Sequence, residues 1–221
     1  MVQDVLSLNW NLFEEINGPA GHEGAFDPVM VFAADRLIFL LPVLLVVLWF
    51  ALARWSPLIR RNAQADAARM EGHIALLLSA VAVVLALGIN ILLGHLLFEP
   101  RPFISHPGVV HKLIAHAADA SFPSDHSAAA FAFATVLLAS ARTVAQRDVV
   151  RWLAALLALF GLLAAVTIAF SRVYVGVHYP GDVFGGAICG IIGGLIALWL
   201  RPLLTPLLRP IVRLLGQVGL A

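Results

Sequence analysis

An all-α, polytopic membrane helix bundle of five to six spans, with short interfacial helices, follows from three properties of the sequence. Hydrophobic residues make up 61 % of the 221 residues and charged ones 12 %, against roughly 45–50 % and about 25 % in soluble proteins. The apolar residues fall in runs long enough to cross a bilayer, for which about 20 residues of helix suffice. Most Lys and Arg residues are confined to short connections between those runs. One membrane-embedded domain over 1–221 is expected, without an internal repeat. Cys189 is the sole cysteine and lies in an apolar run, so no intrachain disulfide can form.

In chain order, Val5, Leu8, Leu12 and Ile16 recur at helical spacing among acidic residues, so 1–17 reads as an interfacial amphipathic helix rather than a span. A frayed tail is the alternative. The first charges are acidic, so a cleaved signal peptide is not expected. A Gly/Pro loop, NGPAGHEGAF, covers 17–26. The first span is expected over 29–53, interrupted near its start by Asp35 and Arg36. A polar connection over 54–72 leads to the second span, 73–98, which is apolar apart from Asn90 and His95. After a long polar loop, 99–122, the third span covers 124–141 and a short loop 142–151. The fourth span covers 152–170, a loop 171–181, and the fifth span 182–200. The tail 201–221 has Pro202, Pro206 and Pro210 with arginines between them, which suits an interfacial segment better than a span.

The basic residues set the expected orientation. The connections 54–72 and 142–151 and the tail 201–221 hold ten of the fourteen Lys and Arg residues. The other side holds Arg36, Arg101, Lys112 and Arg172. The positive-inside rule places the ten in the cytoplasm, so the loops 99–122 and 171–181 face outward. Three polar clusters then share the external face: EPRPF (99–103), FPSDHS (122–127) and SRVYVGVHYPGD (171–182).

The third cluster carries most of the chemical signal. His178 and Asp182 reach each other if the chain turns helically near Pro180, and Arg172 adds a fixed positive charge. A histidine oriented by a carboxylate beside a guanidinium is equipped to attack a phosphoryl group. The roles inferred are His178 as nucleophile, Asp182 holding its imidazole in the attacking tautomer, and Arg172 binding phosphoryl oxygens, with Ser171 as a candidate assistant. In FPSDHS, Ser124 is placed to cap a helix whose first N–H groups, from Asp125, His126 and Ser127, form an anion site. His126 in that first turn could protonate a leaving oxygen. The hexapeptide alone is equally a plain capped helix. Arg101 between two prolines suits a phosphate clamp, and equally a snorkelling interfacial arginine. Zinc is the rival use of these histidines and acids, but HExxH and paired cysteines are both lacking from the sequence. No metal, other cofactor or nucleic-acid partner is expected.

Arg101-Pro102, then Pro123-Ser124-x-His126, then Ser171-Arg172-x5-His178-x3-Asp182 resembles the three-part signature of the type-2 phosphatidic acid phosphatase superfamily. That resemblance implies metal-independent hydrolysis through a phosphohistidine on His178, with His126 as general acid. It also implies a phosphate cradle of Arg101, Arg172 and the turn of Ser124, Asp125 and His126. The lysine often found seven residues before the first-motif arginine is Gly94 here, and the usual glycine between the second-motif Ser and His is Asp125. The PSDH motif and the INGPAGH segment are similar to the bacterial undecaprenyl-diphosphatase branch. The expected partner is accordingly a membrane lipid, a polyprenyl diphosphate, cleaved at the outer face of the cytoplasmic membrane. Phosphatidate, phosphatidylglycerophosphate and lipid A are the alternative substrates. A transporter or scaffold is the alternative of another class, though its polar groups should lie in mid-span rather than at span ends.

Overall fold

The computed structural model describes residues 2–54, 63–144 and 148–217, which are nearly all helical. In chain order the helices are α1 (Val2–Asn17), α2 (Phe26–Asp35), a 3-10 turn (Leu37–Phe39), α3 (Leu40–Arg54), α4 (Ala63–Leu96) and the short α5 (Pro102–Ser105). Then follow α6 (Asp125–Val144), α7 (Asp148–Tyr174), α8 (Pro180–Trp199) and α9 (Arg201–Gln217). The one β-type pairing among the described residues is an isolated bridge between Pro100 and Ala120.

Helices α4, α6 and α8 form the centre. Ile74, Leu78, Ala82 and Ala86 of α4 meet Ala128, Ala132 and Val136 of α6 and Cys189 and Ala197 of α8 in one buried cluster. Lipid tails are as apolar as leucine, so such helices associate by close packing of small residues rather than by the hydrophobic effect. The fit is tight enough that a Cβ on Gly190 would stand 2.4 Å from the Ala128 carbonyl oxygen, and one on Gly193 2.7 Å from the Ala86 nitrogen. On its other side α6 packs Ala130, Phe133 and Ala134 against Ala165 and Ile168 of α7 and Leu41 of α3. Large apolar side chains such as Val84, Leu92, Phe160, Leu195 and Trp199 remain exposed on the outer surface, as a hydrocarbon-facing belt requires.

Among the described residues three helices are long and apolar enough to cross a membrane: Asp66–Leu96, Ala155–Tyr174 and Pro180–Trp199. A fourth span results if Phe26–Asp35 and Leu37–Phe50 count as one, bent by 47°. The shorter apolar segment Asp125–Ala141 of α6 makes the expected five to six spans an approximate count. The first span is thus broken at Asp35 and Arg36, where the sequence places two charges in an apolar run. The helix of the second begins at Ala63, ahead of the expected start at 73, because the polar stretch before it is itself helical. The fourth runs on to Tyr174, so Ser171 and Arg172 sit on a helix and not in a loop. Arg60, Arg61 and Arg147, counted in the charge asymmetry, lie outside the described residues.

Helices α1 and α9 both pack onto the bundle. Phe13 of α1 is buried with Val173 and Tyr179, while Leu6 and Leu8 stay exposed. Asn9 Oδ1 accepts the Gly181 N–H at 2.8 Å, and Asn17 Nδ2 donates to the Tyr174 carbonyl at 2.8 Å, so α1 straps both sides of the loop 175–179. Helix α9 lays Leu204 and Leu208 on the central cluster and sends Arg201 to Glu71 at 2.5 Å. Pro206 and Pro210 lie inside α9, on one stripe of the helix.

Candidate active site

The starts of α6 and α8 are stitched together, and the site is built on that seam. Ser124 is buried and caps α6, accepting the Ser127 N–H on Oγ at 3.5 Å. Its own N–H donates to the Asp182 carbonyl at 3.0 Å, and Ser127 Oγ donates to the Val183 carbonyl at 2.6 Å. Gly186 lets the two backbones approach, since a Cβ there would stand 2.4 Å from the Ser124 carbonyl oxygen.

Helix α7 ends where Gly176 adopts a φ of +80°, a conformation that favours glycine. The chain then runs extended through Tyr179, as residues before proline do, and Pro180 starts α8. This short loop puts His178 one turn before Asp182. Asp182 Oδ2 accepts the Tyr179 N–H at 2.7 Å and the Ser121 hydroxyl at 2.5 Å. It also lies 3.4 Å from His178 Nδ1, close enough for an ion pair but long for a hydrogen bond. Asp182 Oδ1 and His178 Nδ1 are buried without a hydrogen-bond partner among the described residues.

On the other side of the ring, His178 Nε2 lies 3.1 Å from Arg101 Nη1. A guanidinium only donates, so Nε2 must be the acceptor and the ring proton of the neutral imidazole sits on Nδ1, toward Asp182. Burial, followed by the charges of Arg172 and Arg101, holds the His178 imidazolium well below its ordinary range, so the ring is neutral at pH 7. Arg101, 5 % exposed, also donates from Nε to Asp119 Oδ1 at 2.8 Å and from Nη1 to the Val177 carbonyl at 2.9 Å. The segment around Asp119 returns antiparallel to Pro100, which delivers that carboxylate. Burial pushes the Asp119 carboxyl up, but the hydrogen bond and charge of Arg101 outweigh it and hold the group below the usual range.

Arg172, 2 % exposed, donates from Nη1 to the Ala34 carbonyl at 3.0 Å. Its Nε and Nη2 are buried with no partner among the described residues. Leaving charged donors unpaired in a protein interior is costly. Such donors mark a place where an anion would be held. His126 stands half-buried in the first turn of α6, within electrostatic range of Arg172, His178 and His116. Asp125 points toward α4, where its Oδ1 accepts from Asn90 Nδ2 at 3.0 Å. Ser171 is turned away, donating to the Ile168 carbonyl of its own helix at 2.8 Å, and takes no part in the cluster.

The structure therefore brings Arg101, Arg172, His178 and Asp182 to one seam, with Ser124, Asp125 and His126 at its edge. Sequence reasoning missed Ser121, Asp119, Glu99 and the Ala34 carbonyl. Asn90 did stand out as a polar residue in an apolar run, but its role as the partner of Asp125 was not readable. Glu99 is half-buried, and burial together with the Asp182 carboxylate pushes its carboxyl up to about 7. Among the described residues no three His, Cys, Asp or Glu side chains are grouped so as to hold a metal ion.

Several known proteins are similar to this chain. The profile of the PAP2 superfamily matches residues 75–206, which include every one of the residues just described except Ala34. Undecaprenyl-diphosphatase BcrC of Bacillus subtilis is 35 % identical over 185 residues, covering 84 % of this chain and 80 % of that protein. Putative undecaprenyl-diphosphatase YbjG of Escherichia coli is 35 % identical over 186 residues, covering 84 % and 79 %. The crystal structure of Aquifex aeolicus LpxE superposes with a TM-score of 0.55 at 30 % identity, over 86 % of this chain and 94 % of that one.

Proposed function

Since this chain belongs to the PAP2 superfamily, and is a lipid phosphatase of that family, we propose that it hydrolyses undecaprenyl diphosphate to undecaprenyl phosphate and inorganic phosphate. The observation that carries the reading is the pairing of two buried, unpartnered Arg172 donors with a neutral His178 whose Nε2 faces Arg101. That arrangement fits a tetrahedral anion facing a nitrogen nucleophile. The naming of two relatives, each covered over more than two thirds of its length, supports the diphosphate of a long isoprenoid as the substrate.

The reaction proceeds in two displacements. His126 takes up a proton as the negatively charged diphosphate enters; His178 Nε2 then attacks the terminal phosphorus, the bond to the bridging oxygen breaks, and undecaprenyl phosphate leaves with that proton. Asp182, whose Oδ2 lies 3.4 Å from Nδ1 in this structure, tightens to accept from Nδ1–H and stabilises the positive charge that the ring acquires. Arg101, Arg172 and the first N–H groups of α6 hold the equatorial oxygens, which is most of what phosphoryl transfer asks of a protein. Water then attacks the phosphohistidine, losing a proton to His126, and orthophosphate departs from a regenerated neutral His178. No metal takes part in these steps. The site opens on the outer face of the cytoplasmic membrane, a placement supported by the ten-to-four distribution of Lys and Arg.

The test is phosphate release by protein purified in detergent with EDTA present, comparing undecaprenyl diphosphate, phosphatidate, phosphatidylglycerophosphate and lipid A. Undecaprenyl diphosphate should give the highest kcat/KM. A higher value on a glycerolipid or on lipid A would replace the substrate, and loss of all release in EDTA would replace the mechanism.

A further inference from the structure

The residues placed in the reaction do not hold themselves in position. The last torsion of an aspartate side chain is broad and roughly two-fold, so backbone placement alone does not decide which oxygen of Asp182 faces His178. Two donors make that choice by meeting on Oδ2, the Tyr179 N–H at 2.7 Å and the Ser121 hydroxyl at 2.5 Å. Ser121 is fully buried, and its position is set by its N–H donating to the Glu99 carbonyl at 2.8 Å. Two residues earlier, Asp119 takes the Nε of Arg101 at 2.8 Å. Between them Ala120 is bridged antiparallel to Pro100, so the segment is extended and its alternate side chains share a side.

From this geometry we infer that the segment 119–121 is a positioning element for the reaction, with Ser121 fixing the Asp182 carboxylate against His178 and Asp119 fixing the Arg101 guanidinium. The inference rests on the proposed phosphohistidine chemistry, since it matters only if Asp182 orients a reacting histidine. One short piece of chain thereby ties the phosphate clamp and the orienting carboxylate together, although Arg101 and Asp182 come from distant parts of the sequence. Neither Ser121 nor Asp119 touches the phosphate in this arrangement. Both act through another residue.

The test is a double-mutant cycle in purified full-length protein, with undecaprenyl diphosphate as substrate. Ser121→Ala should lower kcat by about 10- to 100-fold, by analogy with the loss of an outer hydrogen bond behind a metal-ligating side chain. KM should stay within about twofold, because no phosphate contact is removed. Ser121→Thr, which keeps the hydroxyl, should recover most of the rate. In an Asp182→Ala background the same Ser121→Ala change should cost less than about twofold, because the group it acts through is gone. Asp119→Ala should instead raise KM, and should add little to Arg101→Ala. If Ser121→Ala does not fold, Ser121→Cys keeps the volume with a weaker donor and enters the same cycle. Multiplicative losses in Ser121→Ala/Asp182→Ala, or a Ser121→Ala change felt only in KM, would overturn the inference. Full activity in Asp182→Ala would instead overturn the catalytic reading beneath it, so the two failures are distinguishable.

Discussion

Gly186→Ala tests whether the α6–α8 seam sets the rate. The new Cβ would stand 2.4 Å from the Ser124 carbonyl oxygen and 3.0 Å from Ser127 Cβ, where ordinary contact begins at 3.4 Å. The obstacle is backbone and cannot rotate aside, so the helices must part by about 1 Å at this level, the difference between 3.4 and 2.4 Å. Overpacking of this kind costs about 1–3 kcal/mol of stability. The separation falls between Ser124, which caps the helix bearing His126, and Asp182, in the first turn of the helix behind His178. A misplacement of about 1 Å between reacting groups costs on the order of 10²-fold in rate. We expect kcat on undecaprenyl diphosphate to fall by about that factor while the protein still folds. The assay is phosphate release in detergent, beside a thermal melt. Gly88→Ala is the control, since a Cβ there meets nothing among the described residues within 4 Å. It should leave kcat unchanged and add up to about 1 kcal/mol through helix propensity. A Gly186→Ala enzyme with kcat within about threefold of the unmutated protein, against the order of 10² expected, would refute the reasoning.

Four further outcomes are expected. His178→Ala should abolish turnover, and Asp182→Asn should lower kcat by about 10²–10⁴ with the fold intact, as for other orienting carboxylates; a well-folded, active His178→Ala protein would end the phosphohistidine mechanism. His126→Ala should damage hydrolysis of a monoester such as phosphatidate more than that of a diphosphate, whose phosphate leaving group needs a proton less; equal fractional losses would mean that His126 chiefly binds. A cysteine at Gly108 should react with a membrane-impermeant maleimide in intact cells while one at Gln64 should not, and the reverse pattern would put the site in the cytoplasm. Glu99, raised to about 7 from 4.5, binds its proton more tightly folded than unfolded, so it costs stability as pH rises through that window. Glu99→Gln should therefore gain in melting temperature over the unmutated protein at pH 8 relative to pH 5, and an identical difference at both pH values would show that Glu99 does not titrate there.

How far the sequence could be read depended on whether a feature is local. His178 and Asp182 lie one turn apart, and Pro180 between them signals a helix start, so their pairing was readable from spacing. The capped start of α6 was readable for the same reason. The residues proposed to hold the phosphate were visible only as candidates. What fixes them is the Arg101–His178 contact, 77 residues apart, the Ser121–Asp182 bond, 61 apart, and the Arg172–Ala34 bond, 138 apart. No periodicity encodes such distances, because they follow from which helices pack together.

The end of α7 shows a different kind of miss. Polarity placed it at 170, but side-chain polarity does not stop a helix, whereas a residue that must take positive φ does. The first such residue is Gly176, and the helix ends just before it, at Tyr174. The difference matters for the chemistry. On a loop, Arg172 would lose side-chain and backbone freedom on meeting the phosphate, and that ordering would weaken binding. On the last turn of a helix anchored by Ala165 and Ile168 against α6, its guanidinium is already held in place, as the proposed role in binding phosphate requires. The cost of burying that charge with two donors unpaired is then met in folding rather than at each turnover. If Arg172 binds the phosphate as proposed, a donor set left open in this way favours the anion that completes it, which is the condition electrostatic preorganisation requires.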